Sequence, residues 1–242
     1  MIWSVPNMWE GGDVWILGGG PSIIKQFDIP PEVVQDVMNG VVSPSIYSPY
    51  MSFLHDKHVI GINVSYLIGD WIDMVFFGDS KFYERHKKGM AAFPGLKITC
   101  HPKLSNISWV KYLSKDPRKS QGISFRPQHI AWNCNSGAAA ISVAANAGAK
   151  RIILLGFDMS LGEDKSRHWH RLYKVTPLPT VNGRRRDGRA VALPYKRHLA
   201  GFPQIASDAK ARRIEIINAS PTSSITVFPK CTVKELIDKG NG

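Results

Sequence analysis

The chain has 242 residues, with 31 lysines and arginines against 19 aspartates and glutamates, a formal net charge of +12 at pH 7. Apolar residues make up 43%, which is enough for a core and excludes wholesale disorder. The length suits one α/β domain over residues 1–242, and the charge points to an anionic partner: nucleic acid, phosphate, an acidic sugar or a membrane surface.

Val14–Leu17 is a short apolar run ending in Gly18-Gly19-Gly20-Pro21-Ser22. It reads as a buried strand, a glycine turn and a helix start, with Ser22 as N-cap and Ile23, Ile24 and Phe27 facing the core. Pro30-Pro31 interrupts that helix, and the Ser-, Pro- and Tyr-rich residues 39–56 read as a loop. His58–Asn63 and Met74–Asp79 predict a second and third strand, the latter followed by a helix over Ser80–Lys88. Lys97–Cys100 predicts a short fourth strand, and residues 101–134 show no clear pattern. Asn135-Ser136-Gly137 opens an alanine-rich helix, Ala138–Ala147, closed by Gly148. Arg151–Phe157 is the clearest strand in the chain. A long polar stretch, 158–202, precedes a helix near Gln204–Arg212, a strand at Ile214–Asn218 and a last helix near Val233–Lys239.

Short strands alternating with helices predict a mostly parallel, doubly wound, Rossmann-like sheet. Such sheets bind ligands at the carboxyl ends of their strands. Asn63, Asp79, Asp158 and the Gly18–Ser22 turn all follow strands, so this fold would bring them to one edge. The 158–202 stretch is too long for an ordinary connection and reads as a lid-like insertion.

Glycines let a backbone approach a phosphate, and a helix start presents N–H groups, so Gly18, Gly19, Gly20, Pro21 and Ser22 have the ingredients of a phosphate cradle. They also suit a tight turn without a ligand. The turn is neither a P-loop nor a full Gly-x-Gly-x-x-Gly. Ser136 and Gly137 form a second such start, where Ser136 is either a phosphate contact or an N-cap. Asn63 suits a ribose or base edge through its amide, or a turn. Asp79 and Asp158 are carboxylates after apolar strands, and no Asp-x-Asp occurs in the chain.

His168-Trp169-His170 is the most unusual triplet. Its histidines could bind a metal, act as a base or line a phosphate site; no third metal ligand stands out. His198 follows Lys196-Arg197 as a second candidate base. Residues 165–197 hold ten cations, Arg167, Arg171 and the Arg184-Arg185-Arg186 run among them, against Asp187 alone. That stretch has net +9 and leaves +3 for the rest. It is compatible with any polyanion, nucleic acid included.

Cys100, Cys134 and Cys231 are far apart and odd in number, without Cys-x-x-Cys, which argues against a zinc ribbon or a disulfide framework. The start lacks a basic region followed by an apolar run, and no stretch approaches the ~20 apolar residues of a membrane helix. These features predict a reduced, cytoplasmic protein with no membrane span.

The Gly18–Ser22 turn, Asn63, Ser136-Gly137, Gly156-Phe157-Asp158 and His198, in that order, resemble the sialyltransferase-like fold of glycosyltransferase family 42 and the related DUF115 group, which includes a pterin pyrophosphokinase. The resemblance runs from about residue 13 to 230. Trp3-Ser4-Val5-Pro6 with His168-Trp169-His170 also resembles phage and prophage members, which would place the protein in a host cytoplasm. Gly19 stands where the sialyltransferases carry an asparagine, and Met159-Ser160 where their tyrosines follow.

The resemblance implies a nucleotide-sugar donor of the CMP-sugar type, bound without metal or other cofactor. The glycine turn and Ser136-Gly137 would hold phosphate, and Asn63 the ribose or base. His198 would deprotonate the acceptor hydroxyl, with His170 as second choice. Arg167 and Arg171 would offset the leaving nucleotide's charge. Two other readings stay open. One is a Mg²⁺-dependent pyrophosphokinase or phosphoryl transferase using Asp79 or Asp158. The other is a non-enzymatic nucleic-acid-binding module acting through residues 165–197.

Overall fold

The computed structural model describes residues 2–170, 172 and 194–240. The strands are β1 (Asp13–Leu17), β2 (His58–Ile62), β3 (Met74–Phe77), β4 (Leu96–Thr99), β5 (Lys111–Tyr112), β6 (Ser114–Lys115), β7 (His129–Ile130), β8 (Arg151–Leu155) and β9 (Glu215–Asn218). The helices are α1 (Ser22–Gln26), α2 (Pro31–Asn39), α3 (Ser80–Ala92), α4 (Ser136–Asn146), α5 (Tyr195–Leu199), α6 (Phe202–Ala211) and α7 (Val233–Gly240).

Seven strands form one parallel sheet in the order β5-β4-β3-β2-β1-β8-β9. The α/β, Rossmann-like expectation is met. Alternation along each strand sends side chains to two cores. Val14 and Ile16 of β1 join Ile152 and Leu154 of β8 under α4 and α6. Trp15 and Leu17 join Ile153 and Leu155 on the opposite face, with α1, α3 and α7. Both faces are covered, so the strands read as continuous apolar runs.

Several local expectations change. Residues 39–56 are not merely a loop: Pro44–Leu54 forms a 3₁₀ stretch that buries Tyr47, Met51 and Leu54 completely. Ser22 is not an N-cap. Pro21 holds that position, and Ser22 is the first helical residue. Asn135, not Ser136, caps α4, its Oδ1 accepting from the Gly137 and Ala138 amides at 2.9 and 3.3 Å. α3 runs past Lys88 to Ala92 and stops as Phe93 turns extended, because the following Pro94 disfavours a helical residue before it. β8 stops at Leu155, since Gly156 adopts φ +65°. Residues 101–134 contain β5 and the small parallel pair β6–β7. Among the described residues, no helix is long and apolar enough to cross a membrane.

Candidate functional site at the sheet's carboxyl edge

Strand order reverses at β1: β2 to β5 extend to one side of it, β8 and β9 to the other. Diverging connections leave a crevice at such a point. A cavity of about 670 Å³ opens there. It is lined by Gly18, Gly19, Gly20, Asn63, Asp79, Ser136, Gly137, Asp158, Arg167, His168 and His198, all of them expected from sequence. Pro21, Ser22, Trp169 and His170 do not line it. Arg171, and the arginines at 184–186, lie outside the described residues.

The glycine turn is occupied by the protein's own groups. The Gly18 amide donates to the Leu155 carbonyl at 2.8 Å and the Gly20 amide to the Gly156 carbonyl at 2.9 Å. The Ser22 amide donates to Asp158 Oδ2 at 3.3 Å. Trp169 Nε1 donates to the Gly18 carbonyl at 3.0 Å, and His168 Nδ1 to the Gly19 carbonyl at 3.2 Å. The expected phosphate cradle therefore has a carboxylate at its helix end, and α1 is only five residues long. A phosphate placed there would meet like charge. Burial pushes the Asp158 carboxyl above its usual range, against the pull of its Ser22 hydrogen bonds.

The loop after β9 holds the main chain that carries this carboxylate. The Phe157 amide donates to Ser220 Oγ at 3.1 Å, and Ser223 Oγ donates to the Phe157 carbonyl at 2.6 Å. The Ser224 amide donates to the Asp158 carbonyl at 2.8 Å.

His168-Trp169-His170 straps the turn. Trp169 is buried and packs edge-on to Tyr47. His170 is 3% exposed and stacks beneath His168, with centroids 5.2 Å apart and planes 9° off parallel. Its Nδ1 accepts from the Leu172 amide at 3.2 Å. Burial holds its pKa down to about 3. His170, the second-choice base, is thus buried beside His168 and Trp169 and does not line the cavity. Burial also lowers the pKa of His168, opposed by its bond to the Gly19 carbonyl.

His198 sits on α5 in the cavity wall, beside Tyr195 and Arg197. Burial, then the Arg197 charge, lowers its pKa, which favours the neutral form of the ring, the form that can accept a proton. Asp79 caps α3, accepting from the Lys81 amide at 2.8 Å. Asn63 takes a left-handed φ of +53° at the end of β2, a conformation asparagine tolerates.

Sequence reasoning missed Trp132, Phe82, Tyr195 and Arg197 as lining residues. Trp132 packs against Gly78, where a Cβ would come within 2.4 Å of its ring. Lys115 Nζ lies 4.4 Å from the same ring. Trp132 belongs to the stretch without periodicity, so only the glycine after β3 hinted at a large neighbour. Among the described residues, no group of three His, Cys, Asp or Glu side chains could hold a metal ion. No protein-family model, no curated protein and no solved structure matches the chain.

Proposed function

We propose that the protein is a glycosyltransferase that takes a nucleotide-sugar donor, CMP-sugar-like, in the cavity at the β1–β8 crevice. The observation that carries this reading is the cavity's mixed lining. Trp132 and Phe82 contribute aromatic side chains, and Arg167, Arg197 and His198 contribute two cations and an imidazole. A nucleotide needs both kinds of partner, for a flat apolar base and for an anionic phosphate. Phosphate is assigned to the arginines rather than to the glycine turn, because Asp158 already fills the helix end of that turn.

Transfer proceeds by direct displacement. His198 takes the proton of the acceptor hydroxyl as its oxygen forms the new bond to the sugar's anomeric carbon. The bond from that carbon to the nucleotide phosphate breaks, and the phosphate leaves with the electron pair. Arg167 and Arg197 offset the charge that develops on it. Asn63 offers its amide to the ribose or base edge.

A thermal-shift screen tests this reading against CMP, UDP, GDP, ADP and their sugar conjugates, with and without EDTA. A bound nucleotide raises the melting temperature by mass action. The expected result is a shift by one nucleotide family that survives EDTA. A shift abolished by EDTA supports phosphoryl transfer instead, and no shift with any nucleotide overturns both.

A further inference from the structure

Asp79 and Asp158 both line the cavity, but they differ in burial. Asp79 is exposed and caps α3. Asp158 is 3% exposed, and the loop after β9 holds its main chain. Its Oδ2 accepts from the Ser22 amide. Among the described residues, none donates to its Oδ1 in hydrogen-bond geometry, and that oxygen is not enclosed, because Asp158 lines the cavity. A carboxyl oxygen stripped of most of its water is costly unless a donor meets it. His168 stands beside it: the carboxylate abuts Gly20 and the imidazole abuts Gly19, adjacent positions of one turn. His168 Nδ1 carries its proton to the Gly19 carbonyl, so Nε2 is the acceptor of that ring.

These groups sit at the ends of β1 and β8, apart from the aromatic lining. Trp132 packs on Gly78, which follows β3, and Phe82 lies in the first turn of α3. Three strand spacings separate β3 from β8, about 14 Å. A base held by Trp132 therefore does not reach Asp158, and its ribose and phosphate span the interval. The group that meets Asp158 is the one beyond the phosphate, the transferred sugar. The surroundings agree with this order. Tyr195 is within electrostatic reach of both Asp158 and the phosphate-binding Arg167, and His168 is within reach of His198, the base for the acceptor hydroxyl.

We propose that the transferred sugar is a neutral one, and that one of its hydroxyls donates to Asp158 Oδ1. This inference rests on the nucleotide-sugar reading and narrows it. A hydroxyl satisfies the oxygen whether the carboxyl is ionised or protonated, because it can donate and accept. A sugar carboxylate would set a second anion against a buried one. An amino sugar's ammonium would share the cavity with the Arg167 and Arg197 cations. The net charge of +12, taken over the whole chain, admits an acidic sugar; the charge at this one buried side chain selects against it.

The test is isothermal titration calorimetry of the full chain with donors that differ in the charge of the sugar. UDP-glucose is compared with UDP-glucuronate, GDP-mannose with GDP-mannuronate, and the methyl ester of CMP-N-acetylneuraminate with the free acid. UDP, GDP and CMP are titrated beside them. For the nucleotide that binds, the neutral conjugate should bind about fivefold or more tightly than the acidic one. Asp158→Asn should reduce that ratio to about twofold or less. Circular dichroism melts confirm that the variant folds, and the parent ratio alone decides the question if it does not. A parent ratio below about fivefold, or one in favour of the acid, would overturn the inference while nucleotide binding keeps the donor reading standing. An undiminished ratio in folded Asp158→Asn would overturn the role of Asp158. Binding of no bare nucleotide and no conjugate would remove the donor reading, and the sugar class with it.

Discussion

Asp158 and Gly20 share one volume. A Cβ built on Gly20 would lie 1.7 Å from Asp158 Oδ2 and 2.6 Å from the Gly156 carbonyl oxygen. The glycine turn after β1 thus lets a buried carboxylate from the end of β8 reach the Ser22 amide. A glycine turn beside a helix start, read in isolation, suggests a bound phosphate; here its bareness serves a neighbouring strand.

Gly20→Ala should destabilise the protein by about 3 kcal/mol, at the upper end of overpacking costs because both neighbours are held. Adding Asp158→Ala should recover only part of the loss, since the Gly156 carbonyl remains in the way. Urea unfolding midpoints of the two variants measure this, and full recovery in the double variant would refute the arrangement.

Asp158 gives a signed pH effect of its own. Its folded pKa is raised above the unfolded value, so the folded state binds the proton more tightly and burial opposes folding as pH rises through the folded pKa. Asp158→Asn keeps an acceptor for the Ser22 amide and carries no charge. Its stability relative to the parent should therefore be more favourable at pH 7 than at pH 3.5. Equal differences at both pH values would count against a raised carboxyl.

The buried imidazole of His170 acts in the opposite sense. Its pKa falls from 6.5 to about 3 on folding, so between those values the unfolded state binds more protons. Stability is fully present above pH 6.5 and declines as pH falls toward 3, on the order of 1 kcal/mol per pH unit. His170→Phe retains a ring against His168 and Trp169 and should flatten this decline in chemical denaturation series. A variant that loses stability with acid as steeply as the parent would show that the slope comes from other groups.

Trp169 closes the strap over the turn. Trp169→Phe should cost about 1 kcal/mol for the missing bond to the Gly18 carbonyl, beyond any packing loss. Trp169→Ala should cost about 3–5 kcal/mol, as expected for emptying a fully buried site. Thermal and urea melts separate the two. Near-parental stability in the alanine variant would mean that the indole is not the anchor described.

In the proposed reaction, His198→Ala should lower kcat by about 10²–10⁴-fold. Nucleotide affinity should stay within a few-fold, while Arg197→Ala should weaken nucleotide binding. The acidic limb of the parent rate profile should fall below the ordinary histidine range, because burial lowers the His198 pKa, and it should vanish in His198→Ala. Full turnover in His198→Ala would remove the base assignment.

The sequence by itself determined the sheet and most of the site's membership. Val14–Leu17, Met74–Phe77 and Arg151–Leu155 are apolar runs of strand length, and strands buried on both faces must read that way. Residues that follow such strands gather at one edge, which is why Asn63, Asp79 and Asp158 meet around one cavity, and Ser136 joins them from the start of α4. Tertiary structure alone decided what those residues touch. The Asp158 carboxylate lies on α1 across a sequence separation of 136 residues. His168 faces the cavity while His170, two residues on, is buried beneath it. Trp132 joins the wall from a stretch with no periodicity. Periodicity reports which face of an element is apolar; it carries nothing about which distant group fills a given contact. That is set by sheet order and by the packing of loops whose sequences follow no repeat.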